Sequence, residues 1–378
     1  MSKFRLVFAS SLAHMNTHMT INLIIAILPA FQAALILNYT RTELIAAVFF
    51  ISYSASTLIS GVLGLKHSKK WLVVSGQALA FLSLLILTAQ QSYTPLLLTQ
   101  VLLGIGSGTY HPPGTTILVD FSPKSRMSTY LGIHGFASSL GMILSPLIVS
   151  YFLAYHSIRG LLLFFAVFTF AVAAIYASFI QSDKQSKNSA GEFFIYFRKH
   201  ASRYLILSYL LRDASFWGIM SFIPLYAFNV VGLSKPASAA VVALFPFMGL
   251  FANMAGGVTG DRFGASKVAV WCVFLASLSL IPIVLIPSPL VFYMTVLSIG
   301  ILLYATIPLF DSVVALRVPF KFRSPSYGIF QGIGFFFGGI FSLGAGVISD
   351  LIDVKFFFVL MTVTLFFSAY FLREDEKG

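Results

Sequence analysis

The sequence predicts an all-α integral membrane fold, with twelve transmembrane helices in two pseudo-symmetric six-helix bundles. Three observations carry this expectation. The 378-residue chain is 58% hydrophobic and only 10% charged, where a soluble protein carries about 25% charged residues. Its apolar residues gather into stretches long enough for a hydrocarbon core of roughly 30 Å, which takes about 20 helical residues to cross. The second half also echoes the first at an offset of about 196 residues. Arg126, Tyr130, Gly135, Gly141 and Ser145 recur as Arg323, Tyr327, Gly332, Gly338 and Ser342, and Gly61, Gly64 and Lys66 recur as Gly257, Gly260 and Arg262. Leu28-Pro29-Ala30-Phe31 has a relative in Ile223-Pro224-Leu225-Tyr226. Repeats in a many-helix membrane chain point to a transporter whose substrate lies between the halves.

In order, the spans read 5–36, 42–65, 71–90, 94–119, 127–155, 159–181, 204–230, 236–259, 267–286, 289–316, 326–349 and 354–372. Runs this long favour helices over a barrel, whose strands would be about 10 residues and alternating. The first span opens behind Lys3 and Arg5 with no small-residue cleavage site, so no cleavable signal is expected. Thr40 followed by Glu43 reads as a capping box opening the second span. Pro95, Pro236 and Pro289 fall near span starts, where a missing N–H costs little. The polar stretch 182–203 reads as a cytoplasmic linker between a first bundle at 1–181 and a second at 204–378. Glu192–Lys199 within it reads as a short amphipathic piece lying on the membrane surface.

The net charge of +12 could signify nucleic acid, but the charges sort by loop. With both termini inside, 19 of the 24 Lys and Arg residues fall in cytoplasmic segments and only Arg41, Arg159, Lys235 and Lys355 outside. That bias fixes the orientation of a multi-pass protein of the cell membrane and explains the charge without nucleic acid. Cys272 is the only cysteine, which rules out intramolecular disulfides and reads as a small buried hydrophobe.

Ionisable residues at membrane depth mark the candidate site, because an intramembrane charge is costly and usually faces a cavity or a partner. His14 and His18 are one turn apart on the first span, with Asn22 continuing the stripe; His111 lies in the fourth span and His134 in the fifth. Arg212 and Asp213 lie in the seventh span, and Gln331 in the eleventh joins the set. His14, His111, His134 and Arg212 each fall roughly 5–10 Å to the cytoplasmic side of the midplane at 1.5 Å per residue, so they are expected to share one polar layer. Arg212 and Asp213, being adjacent, point about 100° apart and are not expected to pair. Asp311 either belongs to this layer or neutralises Arg317 or Arg323 near the surface. No metal and no cofactor is expected, because His14, His18 and His111 have no carboxylate at similar depth on their own helices.

Between the eighth and ninth spans stands Gly257-Val258-Thr259-Gly260-Asp261-Arg262-Phe263-Gly264. Glycines permit a tight turn there, while Asp261 and Arg262 can engage helix ends as a conformational latch. The run resembles the loop signature of the major facilitator superfamily. Its first-half counterpart, Gly61 to Lys70, has Leu65 where the family usually has Asp, so the latch is expected to be asymmetric. The resemblance implies that Asp261 docks near Ser125–Ser128 when the cytoplasmic side is shut. Gly132, Gly141 and Ser145-Pro146 on the fifth span are similar to the antiporter signature of the same superfamily, and read otherwise as a packing motif with a kink at Pro146. Leu12-Ala13-His14, Leu28-Pro29-Ala30, Leu103 to Gly108 leading to His111-Pro112, and the run Leu211-Arg212 through Tyr226 resemble the fosmidomycin-resistance-type efflux branch. That branch often carries an Asp soon after the first-span His; His18 stands in this neighbourhood here.

The resemblance implies a monomeric, proton-driven exporter of a small organic compound, with Arg212 as an anion contact. Coupling would use His14, His111 or His134, or Asp213. A proton-coupled importer of an organic acid or sugar on the same fold is the alternative. An enzyme is not expected, since no nucleophile–base pair is present, nor a channel, since no charged ring or filter loop appears.

Overall fold

The computed structural model describes residues 2–377 other than 65, 91, 122–126, 183–189, 287 and 320–321. Among these it contains sixteen α-helices and no strand. They are α1 (Lys3–Leu35), α2 (Tyr39–Leu63), α3 (Lys69–Leu87), α4 (Tyr93–Gly108), α5 (His111–Phe121), α6 (Met127–Tyr155), α7 (Ile158–Phe179) and α8 (Ala190–His200), then α9 (Arg203–Asn229), α10 (Lys235–Val241), α11 (Leu244–Phe263), α12 (Ala265–Ser279), α13 (Ile281–Leu285), α14 (Pro289–Arg317), α15 (Arg323–Leu351) and α16 (Val354–Lys377).

Ten helices or adjoining helix pairs are long and apolar enough to cross a membrane. The other two expected spans depart for visible reasons: α9 carries Arg212 and Asp213, and the fourth span is broken into α4 and α5 at Thr109-Tyr110. Pro112 and Pro113 cause that break. They have no N–H to return to the carbonyls four residues earlier. The Gly108 carbonyl accepts instead from the Thr57 hydroxyl of α2 at 3.0 Å. The eighth and ninth spans are likewise interrupted, between α10 and α11 upstream of Pro246 and between α12 and α13 upstream of Pro282.

The two halves pack by one scheme. In the first, α1 lies on α6, α2 on α4 and α3 on α7; in the second, α9 lies on α15, α11 on α14 and α12 on α16. These are equivalent spans in each repeat. Across the halves α2 runs along α15, α1 meets α9, and α6 meets α10 and α11. At the face opposite the termini this contact is polar. Asp350 of α15 accepts from the Tyr39 and Thr40 amides at 3.0 and 2.8 Å, capping α2 from the other half, and Asn229 Nδ2 donates to Gln32 Oε1 at 2.7 Å. The expected capping box is replaced: Asn38 is the N-cap of α2, its side chain accepting from Arg41 N at 3.0 Å, and Glu43 turns away into the seam. The amphipathic piece forms α8. It docks on the α14–α15 junction, with the rings of Phe193 and Tyr196 tilted against Phe322 and Phe197 edge-on to Phe330.

Candidate functional site

All four intramembrane histidines of the first half converge. His14 and His18 project from one face of α1, with ring centroids 4.8 Å apart. His111 opens α5, placed there by the proline break, 5.1 Å from His14 and 5.3 Å from His18. His134 of α6 stacks on His14 at 3.9 Å, with 13° between the planes. The His14 Nδ1 lies 3.0 Å from the His134 carbonyl oxygen, to which it donates. The Tyr110 hydroxyl donates to the Ser10 carbonyl at 2.6 Å and lies 2.8 Å from His134 Nε2. Its one proton being committed, His134 donates from Nε2 to the phenol oxygen. His14, His111 and His134 are all at most 8% exposed. His18 Nδ1 and His111 Nε2 are buried without a hydrogen-bond partner, as is Asn22 Oδ1, while Asn22 Nδ2 donates to the His18 carbonyl. The nearest-lying nitrogens of His14, His18 and His111 fall within 4.8 Å of one another, a spacing that suits a metal ion.

Arg212 does not join them. It lies 4% exposed in the second half, its Nε donating to Thr306 Oγ1 at 2.8 Å and its Nη2 to the Leu303 carbonyl at 2.7 Å. Contrary to the expectation for adjacent residues, its Nη1 pairs with Asp213, because the long guanidinium arm reaches sideways around the helix. Asp311 lies in the same electrostatic neighbourhood as Arg212 and Asp213, while Arg317 pairs with Asp375 instead. Between the two polar clusters a chain of aromatic rings crosses the seam. Tyr53 lies 6.1 Å from His111 and 4.5 Å from Phe335, Phe335 lies 4.5 Å from Trp217, and Trp217 meets Phe216, over which Arg212 sits at 5.2 Å. Gln331 is only half-buried.

One site residue escaped the sequence reading. Glu43 is 0% exposed and spans the seam: its Oε2 accepts from Ser221 of α9 at 2.7 Å and from Ser342 of α15, while Oε1 has no partner. The signal was present, since Glu43 and Asp120 are the only acidic residues before the linker and Glu43 sits inside an apolar span. The Thr40 spacing concealed it.

Asp261 and Arg262 are exposed at the end of α11, with Arg262 lying over Phe263 at 5.2 Å. Gly264 makes the turn to α12 at φ +93°, a region that side chains rarely adopt. Gly257 has open space around it. The expected dock at Ser125–Ser128 involves residues 125 and 126 and the side chains of 127 and 128, which lie outside the described residues. On α6, Gly141 abuts the Met15 carbonyl of α1, Gly132 faces open space, and the helix continues through Pro146. A groove of about 560 Å³ between α12 and α16, lined by Lys267, Trp271, Phe366 and Arg373, lies on the periphery away from both clusters.

The Major Facilitator Superfamily model matches residues 10–342 and 205–378. The fosmidomycin resistance protein of Escherichia coli K12 is 24% identical over 376 residues, covering 94% of this chain and 88% of its own. The proton-coupled antiporter flippase LtaA of Staphylococcus haemolyticus JCSC1435 is 21% identical, covering 89% and 87%. A bacterial homologue of the human lysosomal transporter Spinster, solved inward-facing and occupied, superposes with a TM-score of 0.80 at 16% identity over 100% of this chain and 98% of its own. With the duplicated helix scheme and the loop motif between α11 and α12, these matches establish that the chain belongs to the Major Facilitator Superfamily, as a multi-pass membrane transporter and not an enzyme.

Proposed function

We propose that this protein exports a small organic compound across the cell membrane in exchange for protons, by alternating access, with both termini in the cytoplasm. The observation that carries the reading is Glu43. A titratable carboxyl lies in the contact between the halves, bonded from both α9 and α15, and no cation pairs with it among the described residues. An ionised carboxylate in a dry seam is costly, so gain and loss of its proton bias sealing and opening of that face. A coupling ion acts only through such a difference between states. Export is supported by the likeness to a drug-resistance protein and to a proton-coupled antiporter.

One observation favours a second reading. Each nitrogen of the Arg212 guanidinium donates once, to Asp213, Thr306 and the Leu303 carbonyl. A proton on Asp213 would free the guanidinium for an anion, so proton and anion would bind together, as in uptake of an organic acid. Proteoliposomes with a trapped pH dye decide between them. On addition of fosmidomycin or another drug-like compound, antiport moves protons against the compound and symport moves them with it. Transport indifferent to an imposed proton gradient removes both.

A further inference from the structure

We infer that His14, His18 and His111 form a three-histidine site for a divalent transition-metal ion of the zinc class, with its fourth coordination position open. A zinc-class ion holds imidazole nitrogens at about 2.0–2.1 Å in tetrahedral geometry. With the ring radius added, each ring centre stands about 3 Å from the ion, and the centres stand about 5 Å from one another. The observed centroids form a nearly equilateral triangle with sides of 4.8, 5.1 and 5.3 Å. The rings stand at 69°, 89° and 76° to each other, splayed around a common centre instead of stacked. Their ligand nitrogens lie within 4.8 Å of one another.

The accounting of nitrogens agrees. His14 donates its Nδ1 proton to the His134 carbonyl, which leaves the Nε2 lone pair free and fixes the ring. A backbone carbonyl on the far nitrogen is the usual orienting partner of a metal-bound histidine. His18 Nδ1 and His111 Nε2 are buried with no partner at all. Buried ring nitrogens without partners are costly, and a cation shared by the three clustered rings offsets that cost. His14 and His111 are each 8% exposed, and the Tyr53 hydroxyl beside His111 is also buried and unpartnered, available to a ligand in the fourth position. The donor set selects the ion: neutral imidazoles suit zinc, cobalt, nickel or copper, whereas calcium and magnesium require oxygen ligands. The absence of a carboxylate, which argued against a metal in the sequence, leaves the ion its full charge and an affinity for an anionic or chelating group. This inference concerns binding and does not depend on the direction or coupling of transport.

The test uses the full chain, purified through a histidine-free tag and titrated with Co²⁺. We expect one Co²⁺ per chain with the visible absorption of tetrahedral cobalt, displaced by Zn²⁺. His18→Gln and His111→Gln should each weaken binding by more than about 100-fold, beyond the loss typical of outer-sphere changes. Replacing the surface histidines His67, His156 and His200 together should leave it unchanged. X-ray absorption of the zinc-loaded wild type should count three imidazole ligands, a readout that needs no variant to fold. Absence of stoichiometric Co²⁺, retention of binding in both His18→Gln and His111→Gln, or loss of binding in the surface variant each overturns the site.

Discussion

At the scale of residues, the chemistry concentrates in a few buried polar groups, and Glu43 is the sharpest to test. Glu43→Gln keeps the volume and an acceptor for Ser221 and Ser342 while removing the titrating proton. Its effect on thermal stability in detergent should stay within about 1 kcal/mol, the scale of one hydrogen bond. Transport should lose its dependence on the proton gradient; coupled transport at the wild-type level in Glu43→Gln would remove this residue from the coupling scheme. The histidines were legible from sequence, because His at membrane depth is costly and two of them share one face of α1. That His134 would stack on His14, and that Asp213 would pair with its neighbour Arg212, was not. Both depend on where long side chains go in three dimensions, which spacing along one helix does not encode. Glu43 was hidden because its short-range pattern mimics a cap, while its partners are 178 and 299 residues away.

At the scale of elements, apolar length located nearly every span, but it could not see the interruptions. A helix breaks where proline strands a carbonyl and another element takes that carbonyl up. Thr57 does this for Gly108, and only the fold brings the two together. The glycine signature on α6 divides in the same way. A Cβ on Gly141 would stand 2.5 Å from the Met15 carbonyl oxygen, so this position sets the approach of α1 to α6, while Gly132 has nothing within 4 Å. Gly141→Leu should therefore destabilise the folded carrier by about 1–3 kcal/mol through overpacking. Gly132→Ala should be neutral, or stabilising by up to about 1 kcal/mol from helix propensity. Thermal unfolding in detergent reads both, and equal losses at the two positions would mean that both glycines serve packing. The tight approach at Gly141 also holds His134 against His14, so the packing half of the motif supports the histidine cluster directly.

At the scale of the whole molecule, the internal repeat turns one structure into an argument about motion. The repeat pairs Gly332 with Gly135, and its Gly61–Gly257 register pairs Leu58 with Met254. Across the seam between α2 and α15, a Cβ on Gly332 would meet Leu58 at 2.7 Å, and the Ser54 hydroxyl donates to the Gly332 carbonyl at 2.6 Å. The equivalent contact between α6 and α11 is unmade, for Gly135 has nothing within 4 Å and Met254 is 75% exposed. One seam is thus closed along its length, while its twin is parted towards the face that carries the termini, where Asp261 and Arg262 are also exposed. This difference marks the seam between α6 and α11 as the contact to test for movement. With Cys272 replaced, a Leu58→Cys, Gly332→Cys pair should cross-link rapidly under mild oxidation, since a disulfide needs Cα atoms about 4.4–6.8 Å apart. A Gly135→Cys, Met254→Cys pair should stay reduced at rest and cross-link only as transport is driven, trapping the terminal face shut. If that second pair closes as fast as the first in the resting protein, the parted seam is not a gate. The movement would then have to be sought along α2 and α15, where Glu43 and Asp350 bridge the halves.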